Sequence, residues 1–270
     1  MLESGGDFCR YPRLFKLKAC AAYACYVLAN VLFVFAAVLI SLVLAGAPKR
    51  RERALSRLLR LLLRAFILRA FPAAGCYAIE PIGGLESVRD SGAVYVANHT
   101  SLFDPLLLLA LIPNACCLLK SKYESLLAAW FLTRYFNFVS VDASSSASVA
   151  AAEERLVGLV RGGTNVIVFP EGRRSATGRM GEFKRLAFKV AASTGADVVP
   201  VAIRYKFRFL GRGDSLFFPR PGNVFAARFL PPMPSARRRA ADLSDEAFRA
   251  ISSALRAKKF DSGGDSFRQF

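Results

Sequence analysis

The longest break in the polar pattern lies near the start, where the chain carries no charged residue from Ala19 to Pro48. A bilayer is crossed by about 20 helical residues, so this run is long enough to span one, or to dip into one leaflet and return. Ala45-Gly46-Ala47 resembles a signal-peptide cleavage site. The apolar stretch, however, far exceeds the ~7–15 residues of a signal peptide, which favours a retained anchor. Lys16 and Lys18 precede the run, and Lys49, Arg50, Arg51 and Arg53 follow it. With both flanks basic, the positive-inside bias fixes no orientation. From Arg51 to Phe71 the pattern becomes helical and amphipathic. Arg53, Arg57, Arg60 and Arg64 stack on one face, and Leu55, Leu58, Leu59, Leu62, Phe66 and Leu68 fill much of the remainder. Such a helix either packs on a core with its charges in water or lies in the membrane interface with arginines on headgroup phosphates; the adjoining apolar run favours the second. Pro72 is expected to end it.

After Gly75 the period shortens. Strands are predicted at 93–97, 115–119, 137–141, 164–169, 197–204 and 223–229, with helices at 105–112, 123–135 and 147–161 between them. Residues 143–149 read as a loop and cap before a helix. This order predicts an α/β fold, a mixed sheet with flanking helices, preceded by an N-terminal membrane-associated helical segment. The expected division is 1–72 for the anchoring helices, 73–235 for the α/β domain, and 236–270 for a C-terminal helix (243–258) and a flexible Gly/Ser-rich tail.

Composition sharpens the partner class. Hydrophobic residues make up 54% of the 270, and 38 Lys and Arg against 20 Asp and Glu give a net charge of +18. A field of that sign attracts nucleic acid, anionic headgroups or phosphorylated substrates. The mean hydropathy of +0.33 and the lack of a nucleic-acid-binding motif favour membrane lipids over nucleic acid. The six cysteines, Cys9, Cys20, Cys25, Cys76, Cys116 and Cys117, show neither a CxxC pair nor a disulfide framework. His99 is the only histidine, so a histidine-rich metal site is excluded and any imidazole chemistry belongs there.

His99 stands in Asn98-His99-Thr100-Ser101-Leu102-Phe103-Asp104-Pro105, between a predicted strand and a predicted helix, where sites collect in α/β sheets. Asp104 before Pro105 reads as a helix N-cap. Five residues from the histidine, its carboxylate is also placed to accept the Nδ1 proton and leave Nε2 as a general base. A second cluster, Phe169-Pro170-Glu171-Gly172-Arg173-Arg174-Ser175, comes after another strand: the glycine permits a sharp turn, and arginine offers a planar fork of donors suited to phosphate. Downstream, Gly181-Glu182-Phe183-Lys184 adds a cation, and Val198-Val199-Pro200-Val201 a proline-interrupted strand.

Taken in order, NHxSxxD, FPEGxRS, GxFKxxAF and VVPVAI resemble the glycerolipid acyltransferases typified by the 1-acylglycerol-3-phosphate acyltransferases, over about residues 75–230. The resemblance implies His99 as base, Asp104 as its partner, and Glu171 and Arg174 as binders of the acceptor phosphate. Gly172, Ser175 and Lys184 join them as substrate-binding positions, and Pro200 supports the strand. It implies no cofactor or metal, and three kinds of partner: membrane lipids, an acyl-CoA or acyl carrier protein donor, and a lysophospholipid acceptor. The expected location is a membrane, at its cytoplasmic face in a bacterial cell. Two positions depart from the pattern. Arg173 replaces a frequent threonine, and Ala143 comes after Asp142 where arginine is common, which leaves the acceptor open. Direct attack needs no protein nucleophile, and the chain has no GxSxG elbow. Glycerol 3-phosphate or another lysolipid as acceptor, or a non-catalytic lipid-binding role, are the alternatives.

Overall fold

The computed structural model describes residues 11–123, 127–175, 177–207, 209–211 and 220–257. The predicted tail from Asp261, and Cys9, lie outside them. The helices are α1 (Arg13–Val43), α2 (Pro48–Ala65), α3 (Phe71–Ala73), α4 (Asp104–Leu111), α5 (Leu127–Tyr135), α6 (Ser146–Arg161), α7 (Leu186–Thr194) and α8 (Ala240–Arg256). The strands are β1 (Ala78–Ile79), β2 (Val94–Ala97), β3 (Ala115–Lys120), β4 (Val139–Val141), β5 (Asn165–Val168), β6 (Val198–Tyr205) and β7 (Val224–Phe229). All six predicted strands form. β1, only two residues long, is too short to print an alternating pattern, and α7 was not predicted.

One seven-stranded sheet runs in the order β1-β7-β6-β2-β5-β3-β4. It is mixed because β7 pairs antiparallel with β6, while every other pairing is parallel. The connections explain the layers. From β2 to β3 to β4 the chain moves toward one edge of the sheet; from β4 to β5 to β6 it moves back. Right-handed crossovers therefore put α4 and α5 on one face, and α6 and α7 on the other. The loops after adjacent strands β2 and β5 leave toward opposite faces, which opens a crevice between their C-terminal ends.

One continuous apolar cluster joins the sheet to both helical layers and to the N-terminal helices, from Ala19 and Leu55 through Tyr95, Ile167 and Phe225 to Ile251. Within α1, Ala19, Phe33 and Ala37 are buried, with the Phe33 ring stacked on Phe136 at 5.5 Å. Most of the helix is not covered by protein: Leu28, Leu32, Phe35, Leu39 and Leu42 are all exposed. α1 is long and apolar enough to cross a membrane.

α2 corrects the interfacial reading. Leu55 and Leu63 are fully buried and Leu58, Leu59 and Leu62 pack against the core, so the apolar stripe is covered by protein rather than by lipid. Arg53 and Arg57 point outward. Pro72 does not end the helix at Phe71 either. Residues Phe66–Ala70 form a π-helical turn in which the Phe71 N–H bonds to the Phe66 carbonyl, and α3 then carries the chain through the proline. Pro72 has no N–H to give the Ile67 carbonyl in that register. The Tyr77 hydroxyl donates to that carbonyl instead, at 2.8 Å.

Candidate active site

β2 ends at Ala97, and Asn98 pins the start of the next turn to β6. Its Nδ2 donates to the Ile203 carbonyl at 2.9 Å, and its Oδ1 accepts from the Ile203 N–H at 2.8 Å. The chain then turns around the carboxylate of Asp104. Oδ2 accepts from the Thr100 N–H at 2.8 Å and the Ser101 N–H at 2.9 Å, and lies 2.8 Å from His99 Nδ1. The Tyr205 hydroxyl, at the end of β6, donates to the other oxygen, Oδ1. Asp104 has no solvent exposure, and these four bonds satisfy an anion that burial would otherwise penalise.

The capping expectation is corrected by one residue. Phe103 is the N-cap and makes no side-chain cap bond, while Asp104 is the first helical residue and points back into the preceding turn. With Nδ1 placed on a carboxylate, the hydrogen-bond network assigns the proton to Nδ1 and leaves Nε2 as the acceptor. The imidazole stacks on Phe169 at 4.2 Å between centroids. Its side chain is 15% exposed, enough for a reactant to reach it.

β5 delivers the second cluster to the same crevice. After Phe169 the backbone closes a turn, with the Gly172 N–H on the Phe169 carbonyl at 2.9 Å and Gly172 at φ +65°. A Cβ at that position would meet Lys184 Cε at 3.4 Å, so the lysine side chain lies across the glycine. Glu171 is buried and bonds to two backbone donors, His99 N–H on Oε1 at 2.9 Å and Gly181 N–H on Oε2 at 2.8 Å. Burial pushes its carboxyl above the usual range, partly offset by those two donors. The His99 carbonyl accepts from the Ser175 N–H at 2.7 Å. Both ends of the His99 residue are thus tied to the 171–175 loop.

Arg174 is held apart from Glu171. Its Nη1 donates to the carbonyls of Leu210 and Gly211 at 2.7 and 2.8 Å, while the Glu171 carboxylate serves the backbone. The Ser175 hydroxyl donates to the Arg179 carbonyl at 2.7 Å. Arg173, Arg179, Lys184 and Arg185 are exposed on this stretch and make its rim cationic. At the departure after β4, the Asp142 carboxylate accepts from the Ser144 N–H and hydroxyl, so this loop serves the cap of α6. Among the described residues no group of three or more His, Cys, Asp or Glu comes together to hold a metal.

Sequence reading did not single out Phe169, the Gly181 N–H or Tyr205 as parts of this site. The first two stand inside motif blocks, where their chemistry was masked by more eloquent neighbours. Tyr205 lies one residue beyond the predicted end of its strand.

The acyltransferase family model matches residues 81–204. A chloroplastic 1-acyl-sn-glycerol-3-phosphate acyltransferase of Arabidopsis thaliana is 33% identical over 142 residues, 51% of this chain and 40% of that protein. A 1-acyl-sn-glycerol-3-phosphate acyltransferase of Borreliella burgdorferi is 30% identical over 151 residues, 54% of this chain and 59% of its own length. The chain thus spans less than two thirds of either relative. The crystal structure of the 1-acyl-sn-glycerophosphate acyltransferase PlsC from Thermotoga maritima shares the fold, with a TM-score of 0.60 over 86% of this chain and 96% of that one, at 21% identity. Residues 81–204, which hold the His99 turn, the Glu171 loop and most of the strands that present them, are the part of this chain that matches the acyltransferase family model.

Proposed function

We propose that the protein transfers a fatty acyl chain from a thioester, acyl-CoA or acyl carrier protein, to the free hydroxyl of 1-acyl-glycerol-3-phosphate, giving phosphatidic acid for phospholipid synthesis. The observation that carries this reading is the double tie of His99 to the 171–175 loop, which sets a general base beside an arginine- and lysine-rich rim. The names of the relatives support the choice of acceptor.

In this mechanism His99 Nε2 takes the proton of the acceptor hydroxyl as its oxygen attacks the thioester carbonyl. Asp104 holds the ring through Nδ1 and stabilises the imidazolium. When the tetrahedral intermediate collapses, the C–S bond breaks and the imidazolium returns the proton to the departing thiolate. No covalent acyl-enzyme forms. Arg174 and Lys184 are assigned to the acceptor phosphate. With Nη1 on two carbonyls, the guanidinium is held in one orientation while Nε and Nη2 keep the directional donors that phosphate prefers. Glu171, an acceptor of two N–H groups, is assigned to holding the loop. Ser175 and Gly172 shape it. The exposed apolar side of α1 is assigned to lipid, which supports a site close to its lipid acceptor; the side assigned to it in a bacterial cell is the cytoplasmic one.

Product identification tests the substrate assignment. Full-length protein in mixed micelles is supplied with labelled acyl-CoA or acyl carrier protein and a panel of lysolipids and glycerol 3-phosphate. Labelled phosphatidic acid formed from 1-acyl-glycerol-3-phosphate is expected; a product only from phosphate-free or diester acceptors would overturn the assignment.

A further inference from the structure

The Asp104 carboxylate has two oxygens with different tasks. Oδ2 serves His99 and the turn, and Oδ1 meets the hydroxyl of Tyr205. Tyr205 comes from β6, a strand that the chain reaches only about a hundred residues after Asp104. It is buried between the Phe225 ring, edge-on at 4.7 Å, and the turn. A tyrosine hydroxyl is costly to bury without an acceptor, and a hydrogen bond to an ionised acceptor is stronger than one to a neutral group.

We infer that Tyr205 is a positioning residue of the acyl-transfer site, fixing the rotation of the Asp104 carboxylate and drawing charge to Oδ1, so that Tyr205, Asp104 and His99 act as a linked triad. Three bonds on one oxygen and one on the other define the plane of a carboxylate. Without the phenol, Oδ1 would be a buried acceptor with no partner among the described residues, and the carboxylate would be held through Oδ2 alone. The inference rests on the acyl-transfer reading and on His99 as the base.

Removing the phenolic proton has a signed consequence. Negative charge no longer shared with Tyr205 is concentrated on Asp104, whose hold on the His99 Nδ1 proton tightens. The other ionisable groups facing the site are Glu171 and Arg174 on the β5 loop and Tyr77 ahead of β1. None of them is altered by the substitution.

The test uses the full chain in mixed micelles, with wild type, His99→Ala and Tyr205→Phe assayed across pH and their thermal unfolding recorded. Tyr205→Phe is expected to lower kcat about tenfold, the size of a lost hydrogen bond to a charged group, with the acceptor KM little changed. The acid limb of its kcat profile should move to higher pH. In Asp104→Asn, adding Tyr205→Phe should cost almost nothing further. An unmoved acid limb with unchanged kcat, or losses that add fully in the double variant, would overturn the inference. If Tyr205→Phe does not fold, 3-fluorotyrosine at 205 keeps the ring and strengthens the donor, and the limb should then move to lower pH; no movement overturns the inference equally. Failure of the underlying reading looks different, as His99→Ala would keep its activity whatever happens at 205.

Discussion

Glu171 is the residue whose part changes most once its surroundings are known. Read from the chain it was an acceptor-phosphate binder; in place, it ties the His99 turn to the Gly181 loop. Glutamine keeps one acceptor oxygen for these two donors and alanine keeps none. Glu171→Gln should therefore retain part of the transfer rate while Glu171→Ala retains little, measured as kcat in micelles. Its titration adds a signed prediction. Because burial raises the folded-state pKa of this carboxyl, the folded protein binds the proton more tightly than the unfolded chain. The stability it lends is present below the ordinary glutamate range and is lost as pH rises through the raised value. Wild type should lose stability relative to Glu171→Gln over that window, followed as the pH dependence of their difference in unfolding midpoint. Arg174→Ala should raise the KM for a phosphate-monoester acceptor far more than the KM for the donor, and Arg174→Lys should recover only part of it, since ammonium lacks the planar fork. Equal changes in both KM values would remove Arg174 from the phosphate. At this scale the His99–Asp104 pairing was legible, because five residues across a tight turn bring the side chains together. Tyr205 was not, because its contact is set by strand order rather than by spacing along the chain.

Elements follow their patterns where one face decides and depart where a tertiary contact does. The amphipathic period of α2 was legible, but period alone does not tell whether leucines meet lipid or protein, and Leu55 and Leu63 meet protein. Pro72 read as a stop because a proline breaks the α register; the π-helical turn before it supplies another register. α7 went unread because its short apolar sequence, Leu186–Thr194, carries no strong polar face. Tyr77 carries the energetic consequence of the π turn. Tyr77→Phe strands the Ile67 carbonyl in a buried site and should cost about 1–3 kcal/mol in denaturant unfolding. A cost near zero would mean that the carbonyl finds another donor. The arginines of α2, of which Arg53 and Arg57 point outward, lie next in the chain to the long apolar helix α1. Each basic residue near an anionic surface is worth about 1 kcal/mol, so changing Arg53, Arg57, Arg60 and Arg64 to Gln should reduce the preference of the full chain for anionic over neutral vesicles, and its salt sensitivity. An undiminished preference would leave these arginines without a role at the membrane.

For the whole molecule, the sheet topology places the chemistry. The reversal of strand order between β2 and β5 creates one crevice at their C-terminal ends, and the two motif blocks, 72 residues apart at His99 and Glu171, fill it from both sides. Alternating strands and helices made the α/β class legible, whereas strand order arises from pairings that the one-dimensional pattern does not record. In the proposed function this crevice is a catalytic site with His99 as its base. The most direct test is the rate of acyl transfer to 1-acyl-glycerol-3-phosphate by purified full-length His99→Ala beside wild type, with unfolding and micelle association measured on the same samples. Loss of a positioned base is expected to lower the rate by about 10² to 10⁴, with folding and association unchanged. A variant that turns over at close to the wild-type rate would remove His99 from the chemistry.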